Sequence, residues 1–296
     1  MVTKVAVIGA SGVLGRQLIS RFQKAGRAVR AIARTTDDLQ ELMQGESEAL
    51  AFDLLIHPRS LLKQYLKGCD VVIHAATALP SSLDASPNWT VNNRLRMEGT
   101  CNLIESAWRA GVGLYLQLSE TNAYVNGREE WLDESAAFDI APRKAVQTLA
   151  VAEMERQVRG ASQVGLDWAI LRVGTLLGPG TFQDDFITRL RRGGEKVPGD
   201  GRHFISPVHV ADAAEAFVLA SQKCRNERIF NIVDEPVRFG DYADQMADRL
   251  RAARPTRDLS CPPPSSHRCS NELAKRELGW TPRLGFYKRQ GAVSIG

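Results

Sequence analysis

Residues 3–15 read Thr-Lys-Val-Ala-Val-Ile-Gly-Ala-Ser-Gly-Val-Leu-Gly. An apolar run, Val5 to Ile8, enters glycines at 9, 12 and 15, and an amphipathic pattern continues through Leu14, Leu18, Ile19 and Phe22. Strand, tight turn and helix follow from that pattern. A glycine at 9 lets the chain turn off the strand, one at 12 lets backbone approach a pyrophosphate, and one at 15 lets helix pack on strand. The helix N-terminus then offers free N–H groups and a positive dipole end to phosphate. Gly9, Ser11, Gly12, Val13, Leu14 and Gly15 are therefore the candidate cradle of a dinucleotide.

The remainder of the chain fits a large α/β protein. It has 296 residues, 44% of them hydrophobic, enough for one large domain and a smaller lobe. The net charge of +4 is mild, and Arg189-Leu-Arg-Arg192 is too short for a nucleic-acid-binding block, so no nucleic-acid partner is expected. No signal peptide or membrane span is visible, which points to the cytoplasm. Five cysteines without a Cys-x-x-Cys pair suit a reducing compartment. Cys261, His267 and Cys269 lack a second ligand pair, and no metal is expected.

Further strands are expected at Ala28 to Ala33, Ala49 to Phe52, within Cys69 to Ala76, at Val112 to Leu118, at Asp167 to Val173 and at Ile229 to Val233. Helical patterns lie around Asp38 to Gln44, at Leu61 to Leu66, from Asn88 to Ala110, from Arg143 to Arg159 and from Val208 to Ser221. This alternation, with right-handed crossovers, gives a doubly wound parallel Rossmann sheet. Residues 1–174, with 208–234 returning to them, are expected to form the nucleotide-binding domain; 175–207 and 235–296 form a smaller substrate lobe over the carboxyl ends of the strands. Arg34, at the end of the second strand, favours NADP over NAD, although Asp37 and Asp38 stand close by and NAD remains open. Asp53 is placed to accept from the adenine amino group, with Leu54 packing on the ring. Ala75 and Ala76 leave room for a ribose, and Thr77 and Val173 complete the cofactor set.

The chain resembles the extended short-chain dehydrogenase/reductase family, the nucleotide-sugar epimerases and dehydratases with their reductase relatives. The matching residues include Gly9/Gly12/Gly15, Asp53-Leu54, His74-Ala-Ala76, Gly99-Thr100, Leu171-Arg-Val173, Val208-His-Val-Ala-Asp212 and Leu278-Gly-Trp-Thr-Pro282. The resemblance implies NAD(P)-dependent hydride chemistry on a small carbonyl, alcohol or sugar-derived substrate, and a possible homodimer. It also implies a Ser or Thr after the fifth strand and a Tyr-x-x-x-Lys on the next helix, where the ammonium lowers the phenol pKa. Here the chain departs from the family: counting back from Glu153 puts Ala145 and Leu149 in those places, and Lys144 does not restore the pair. Aligning on Tyr124 puts Glu120 where the hydroxyl belongs. The remaining candidates for proton transfer are Ser119, Thr121 and Tyr124, with Glu120 as an alternative acid or base. Arg202 and His203 are candidates for contact with an anionic substrate, and His209 for holding a helix entry. An NADP(H)-binding sensor without turnover and a non-redox biosynthetic enzyme are the alternatives to the oxidoreductase.

Overall fold

The computed structural model describes residues 4–78, 88–224 and 227–285, without the side chains of 142–145. The expectations about Lys144 and Ala145 therefore lie outside the described side chains, as does the end of the lobe after 285. Seven parallel strands form the central sheet: β1 Lys4–Ile8, β2 Ala28–Ala33, β3 Glu48–Ala51, β4 Val71–His74, β5 Leu114–Glu120, β6 Asp167–Val173 and β7 Arg228–Ile232. Their spatial order is β3-β2-β1-β4-β5-β6-β7. The chain builds outward from β1 to β3, then returns to the other side of β1 with β4. That reversal opens a crevice at the carboxyl ends of β1 and β4, where such sheets take ligands.

Alternation along the strands divides the core in two. Val5 and Val7 face one layer, while Ala6 and Ile8 face the other. The first layer is covered by α1 (Val13–Lys24) and, later in the chain, by Val210–Lys223. The second is covered by α2 (Arg59–Leu66) and α3, which joins Thr90–Arg94, a π-turn at Leu95–Gly99 and Thr100–Ala110, and by the end of α4 (Pro142–Arg159). Strands buried on both faces need continuous apolar runs, which explains why β1, β4 and β6 were visible in the sequence.

Beyond β6, α5 (Phe182–Arg192) and α7 (Phe239–Leu250) enclose a smaller core of Leu177, Phe186, Leu190, Val197, Val237, Tyr242 and Met246. Between them in sequence, α6 (Val210–Lys223) belongs to the main sheet. The later segment divides: Ala274, Leu278 and Trp280 pack into the main core, with Trp280 Nε1 donating to the Asp212 carbonyl at 2.9 Å. Two elements differ in kind from the sequence pattern. The polar helix expected near Asp38 is a 3₁₀ segment, Asp37–Leu42, and the long helix after Asn88 is interrupted by the π-turn.

Candidate functional site

The loop after β1 is built on two glycines that the fold itself requires. Gly9 has φ +87°, and a Cβ there would lie 2.5 Å from the Ala76 nitrogen; one on Gly15 would lie 2.2 Å from the Gly9 carbonyl oxygen. Gly12 is different. Its φ of −69° and ψ of 165° suit any residue, and a Cβ would meet only the Gly9 oxygen, at 3.3 Å. Among the described residues, the space beside Gly12 at the entry to α1 is thus empty of protein. Among the described residues no side chain caps α1, and its first turn carries no acid, so its N–H groups face that space. These features fit a dinucleotide pyrophosphate: a positive helix end, open donors and a surface with no Cβ in the way. Ser11 is exposed on the loop, Leu14 is buried beneath it, and Val13 packs against the Gly180 turn of the lobe.

On the adenosine side, Arg34 is exposed just past the end of β2. Of the two nearby acids, Asp38 is engaged: Arg16 Nη2 pairs with its carboxylate at 3.2 Å while Arg16 Nε donates to the Ser11 carbonyl. Asp53 accepts from the Leu55 amide through Oδ1 at 2.8 Å, and Leu54 is buried against the flank of α3 at Gly99. At the end of β4, Ala75 is buried and hydrogen-bonded to Ile8, Ala76 is half-buried, and Thr77 is exposed. Val173 ends β6 and is buried. Beneath them His74 Nδ1 meets the Tyr115 hydroxyl and Gln117 Oε1, both at 3.1 Å; burial pushes its pKa down to about 4, so it is neutral near pH 7.

The three hydroxyls proposed for proton transfer are all committed elsewhere. Ser119 Oγ donates to Glu155 Oε1 at 2.7 Å, and Thr121 is buried against the Cys269 thiol. Tyr124 has no exposed surface; its hydroxyl donates to Asn231 Oδ1 at 2.8 Å and accepts from Arg172 Nη1 at 2.7 Å. Burial raises its pKa well above the usual phenol range, against the opposing pull of Arg172. The lobe candidates also have local partners. His209 Nδ1 accepts from the Ala211 amide and caps α6, while His203 is buried with its ring stacked on Phe239. Cys269 and His267 are buried, with the His267 ring bonded to the Tyr124 carbonyl, whereas Cys261 is exposed.

The structure corrects the counting on α4. Glu153 pairs with Arg156 near the surface, whereas Glu155 is buried and holds Arg172 by two contacts, Nε–Oε1 at 2.9 Å and Nη2–Oε2 at 2.7 Å. Burial alone would lower the Arg172 pKa; the hydrogen bonds and charge of Glu155 outweigh it and raise the pKa. Glu155 therefore marks the face of α4 that meets the sheet. One and two turns earlier on that face stand Val151 and Gln147, not Leu149, which is 53% exposed. Val151 packs on Ala123 and Met154. The sequence missed Glu155 because two acids two residues apart are indistinguishable until the helix phase is known.

Glu120, the last residue of β5, forms a salt bridge with Arg96 of the π-turn, Nη2–Oε1 at 2.9 Å. No motif or spacing singles out Arg96, which sits in mid-helix between the family's Asn92 and Gly99.

The model of the NAD dependent epimerase/dehydratase family matches residues 5–233. The chain belongs to the NAD dependent epimerase/dehydratase family. Within it, a 3-diazoavenalumate denitrifying reductase from Streptomyces sp is 32% identical over 98% of this chain and 92% of its own length. A 4-hydroxy-2-methyl-3-oxo-4-farnesyl-3,4-dihydroquinoline-1-oxide ketoreductase from Stigmatella aurantiaca is 27% identical over 77% of this chain and 67% of its own. The fold matches that of a dTDP-glucose 4,6-dehydratase from Streptomyces venezuelae solved with NAD, with a TM-score of 0.80 and 22% identity over 96% and 93% of the two chains. As a member of the NAD dependent epimerase/dehydratase family, the chain is an oxidoreductase- or epimerase-type enzyme using a nicotinamide cofactor. Among the described residues no helix is long and apolar enough to cross a membrane.

Proposed function

We propose that this chain is an NADPH-dependent reductase acting on an aryl diazo group, a hydride acceptor whose reduction needs no phenolic proton donor. The observation that carries this reading is the phase of α4: with Glu155 on the sheet, Val151 and Gln147 occupy the positions where a lysine and a tyrosine would serve a carbonyl substrate. Reducing a carbonyl develops an alkoxide, and losing its proton donor costs roughly 10²- to 10⁴-fold. An aryldiazonium carbon behaves differently: it takes up hydride, the C–N bond breaks, and N₂ departs with the bonding pair, so the arene forms without a proton. The name of the Streptomyces relative, which matches this chain almost end to end, supports that substrate class. Bound reduced nicotinamide supplies the hydride. Gly9, Gly12 and Gly15 with the start of α1 hold the pyrophosphate, and Ala75 and Ala76 leave the ribose its space.

NADPH is favoured over NADH by the exposed Arg34 and by the Arg16–Asp38 pair, which offsets the charge of Asp38. The test combines the purified protein, NADPH and 2-hydroxybenzenediazonium. One N₂ and one phenol should form per NADPH oxidised. NADPH oxidation with a ketone, and no N₂ from the diazonium, would replace the diazo group by a carbonyl.

A homodimer is part of the same proposal. On their outer faces, α3 and α4 expose Met97, Val146 and Leu149 side by side, and a second copy would cover them. Leu149→Glu should convert a dimer to monomer in light scattering; an unchanged mass would place the interface elsewhere.

A further inference from the structure

We propose that Glu120 is the counter-charge for a cationic hydride acceptor and makes the site select substrates whose reacting end carries positive charge. The inference rests on the reductase reading above and adds to it the group that recognises the substrate.

Position is the first argument. Glu120 pairs in register with Val173, the last residue of β6, and lies three residues beyond Gln117, the partner of His74 at the end of β4. It therefore stands on the rim of the sheet, past the end of β4, in the crevice outside the carboxyl ends of the strands. At the end of the strand its side chain turns to Arg96 of α3, while Ser119 is spent on Glu155. Among Ser119, Glu120 and Thr121, only the Glu120 side chain keeps substantial surface, 34% exposed, while its two neighbours are buried.

The second argument is the state of its partner. Arg96 is nearly buried, spends Nη2 on Glu120 Oε1, and leaves Nη1 buried with no hydrogen-bond partner among the described residues. A pair serving only the fold would spend its buried donors, because an unmade hydrogen bond there is costly. Arg96 also sits in the π-turn that breaks α3, an irregularity that occurs frequently at functional sites. Arg96 thus lies beside the carboxylate at the rim with one N–H unspent, a donor that an acceptor atom of the bound molecule, not its cationic end, would take.

The chemistry sets what Glu120 does. A carboxylate at the rim favours a bound cation over a neutral isostere. The positive charge of a diazonium falls as hydride arrives, so Glu120 stabilises the bound substrate at least as well as the transition state. Its contribution is to KM and selectivity, not to kcat.

The test compares 4-hydroxyphenyltrimethylammonium with its neutral isostere 4-tert-butylphenol, titrated calorimetrically into the NADP⁺-loaded protein. Wild type should bind the cation more tightly by at least about tenfold, the size of a partly solvated charge contact. Glu120→Gln should erase the preference, and Arg96→Met should keep it, because the carboxylate remains. The double variant Glu120→Gln/Arg96→Met strands no charge, guards against misfolding of the single variant, and should also lack the preference. With 2-methoxybenzenediazonium, which stays a cation at neutral pH, Glu120→Gln should raise KM about tenfold or more at unchanged kcat. No preference in wild type, a preference that survives Glu120→Gln, or equal loss in both single variants would overturn the proposal. N₂ release by wild type with an unchanged KM in Glu120→Gln would overturn it too, while leaving the reductase reading intact. No N₂ from wild type would remove the diazo reading, and the cation preference alone would then decide the role of Glu120.

Discussion

Gly12→Val should abolish NADPH binding in a protein that still folds and melts near the wild-type temperature. The expectation comes from the difference among the three loop glycines. Gly9 and Gly15 are required by the protein, since a Cβ at either would come within 2.5 Å of backbone atoms. Gly12 sits in extended backbone that β-branched residues adopt readily, and its nearest obstacle is one carbonyl oxygen at 3.3 Å. A valine there fills the space at the start of α1 where a pyrophosphate would lie, and takes the helix N–H groups out of its reach. We expect the Kd for NADPH to rise at least about 10²-fold, roughly 3 kcal/mol. Fluorescence titration of the reduced nicotinamide measures this, alongside a thermal melt. Gly15→Ala should show the opposite signature, a lowered melting temperature, because its new methyl would collide with the Gly9 oxygen. Unchanged affinity in Gly12→Val would place the pyrophosphate elsewhere.

The largest loss of stability should come from Arg172→Met. Arg172 spans the buried network beside the site, with Glu155 on one side, the Tyr124 hydroxyl on the other, and the Glu134 carbonyl at 2.9 Å. Its guanidinium also lies over the Phe138 ring, 4.6 Å from the centroid. Removing it leaves the Glu155 carboxylate buried, with Ser119 and the half-exposed Arg159 as its remaining partners. Breaking one side of a buried pair typically costs about 3–5 kcal/mol, whereas replacing both charges by apolar groups is often close to neutral. Urea unfolding should therefore show the full loss in Arg172→Met and substantial recovery in Arg172→Met/Glu155→Leu. A single-variant loss below about 1 kcal/mol would mean that the network is solvated, as surface pairs are.

The cofactor half was legible because its requirements are local. Glycines at 9, 12 and 15, between a buried strand and an amphipathic helix, carry their meaning within thirteen consecutive residues. Ala75 and Ala76 belong to the same neighbourhood, since their backbone stands where a Cβ on Gly9 would fall. Proton-transfer candidates were less legible. Ser119, Thr121 and Tyr124 have the right atoms, but a hydroxyl's role depends on what it already bonds, and their partners Glu155, Cys269 and Asn231 are 36 or more residues away.

The sequence by itself determined a parallel doubly wound sheet, the loop that fits a dinucleotide, and the absence of a Tyr-x-x-x-Lys from α4. Periodicity and glycine placement act over a few residues and leave few alternatives. Only the tertiary structure decided that Glu155 and not Glu153 faces the sheet, that three hydroxyls are spent on the core, and that Arg96 of the π-turn meets Glu120 on the rim. Each of these depends on helix phase or on packing between distant segments. Two residues along a helix turn a side chain by about 200°, and no local pattern fixes that angle until the helix is docked on its sheet.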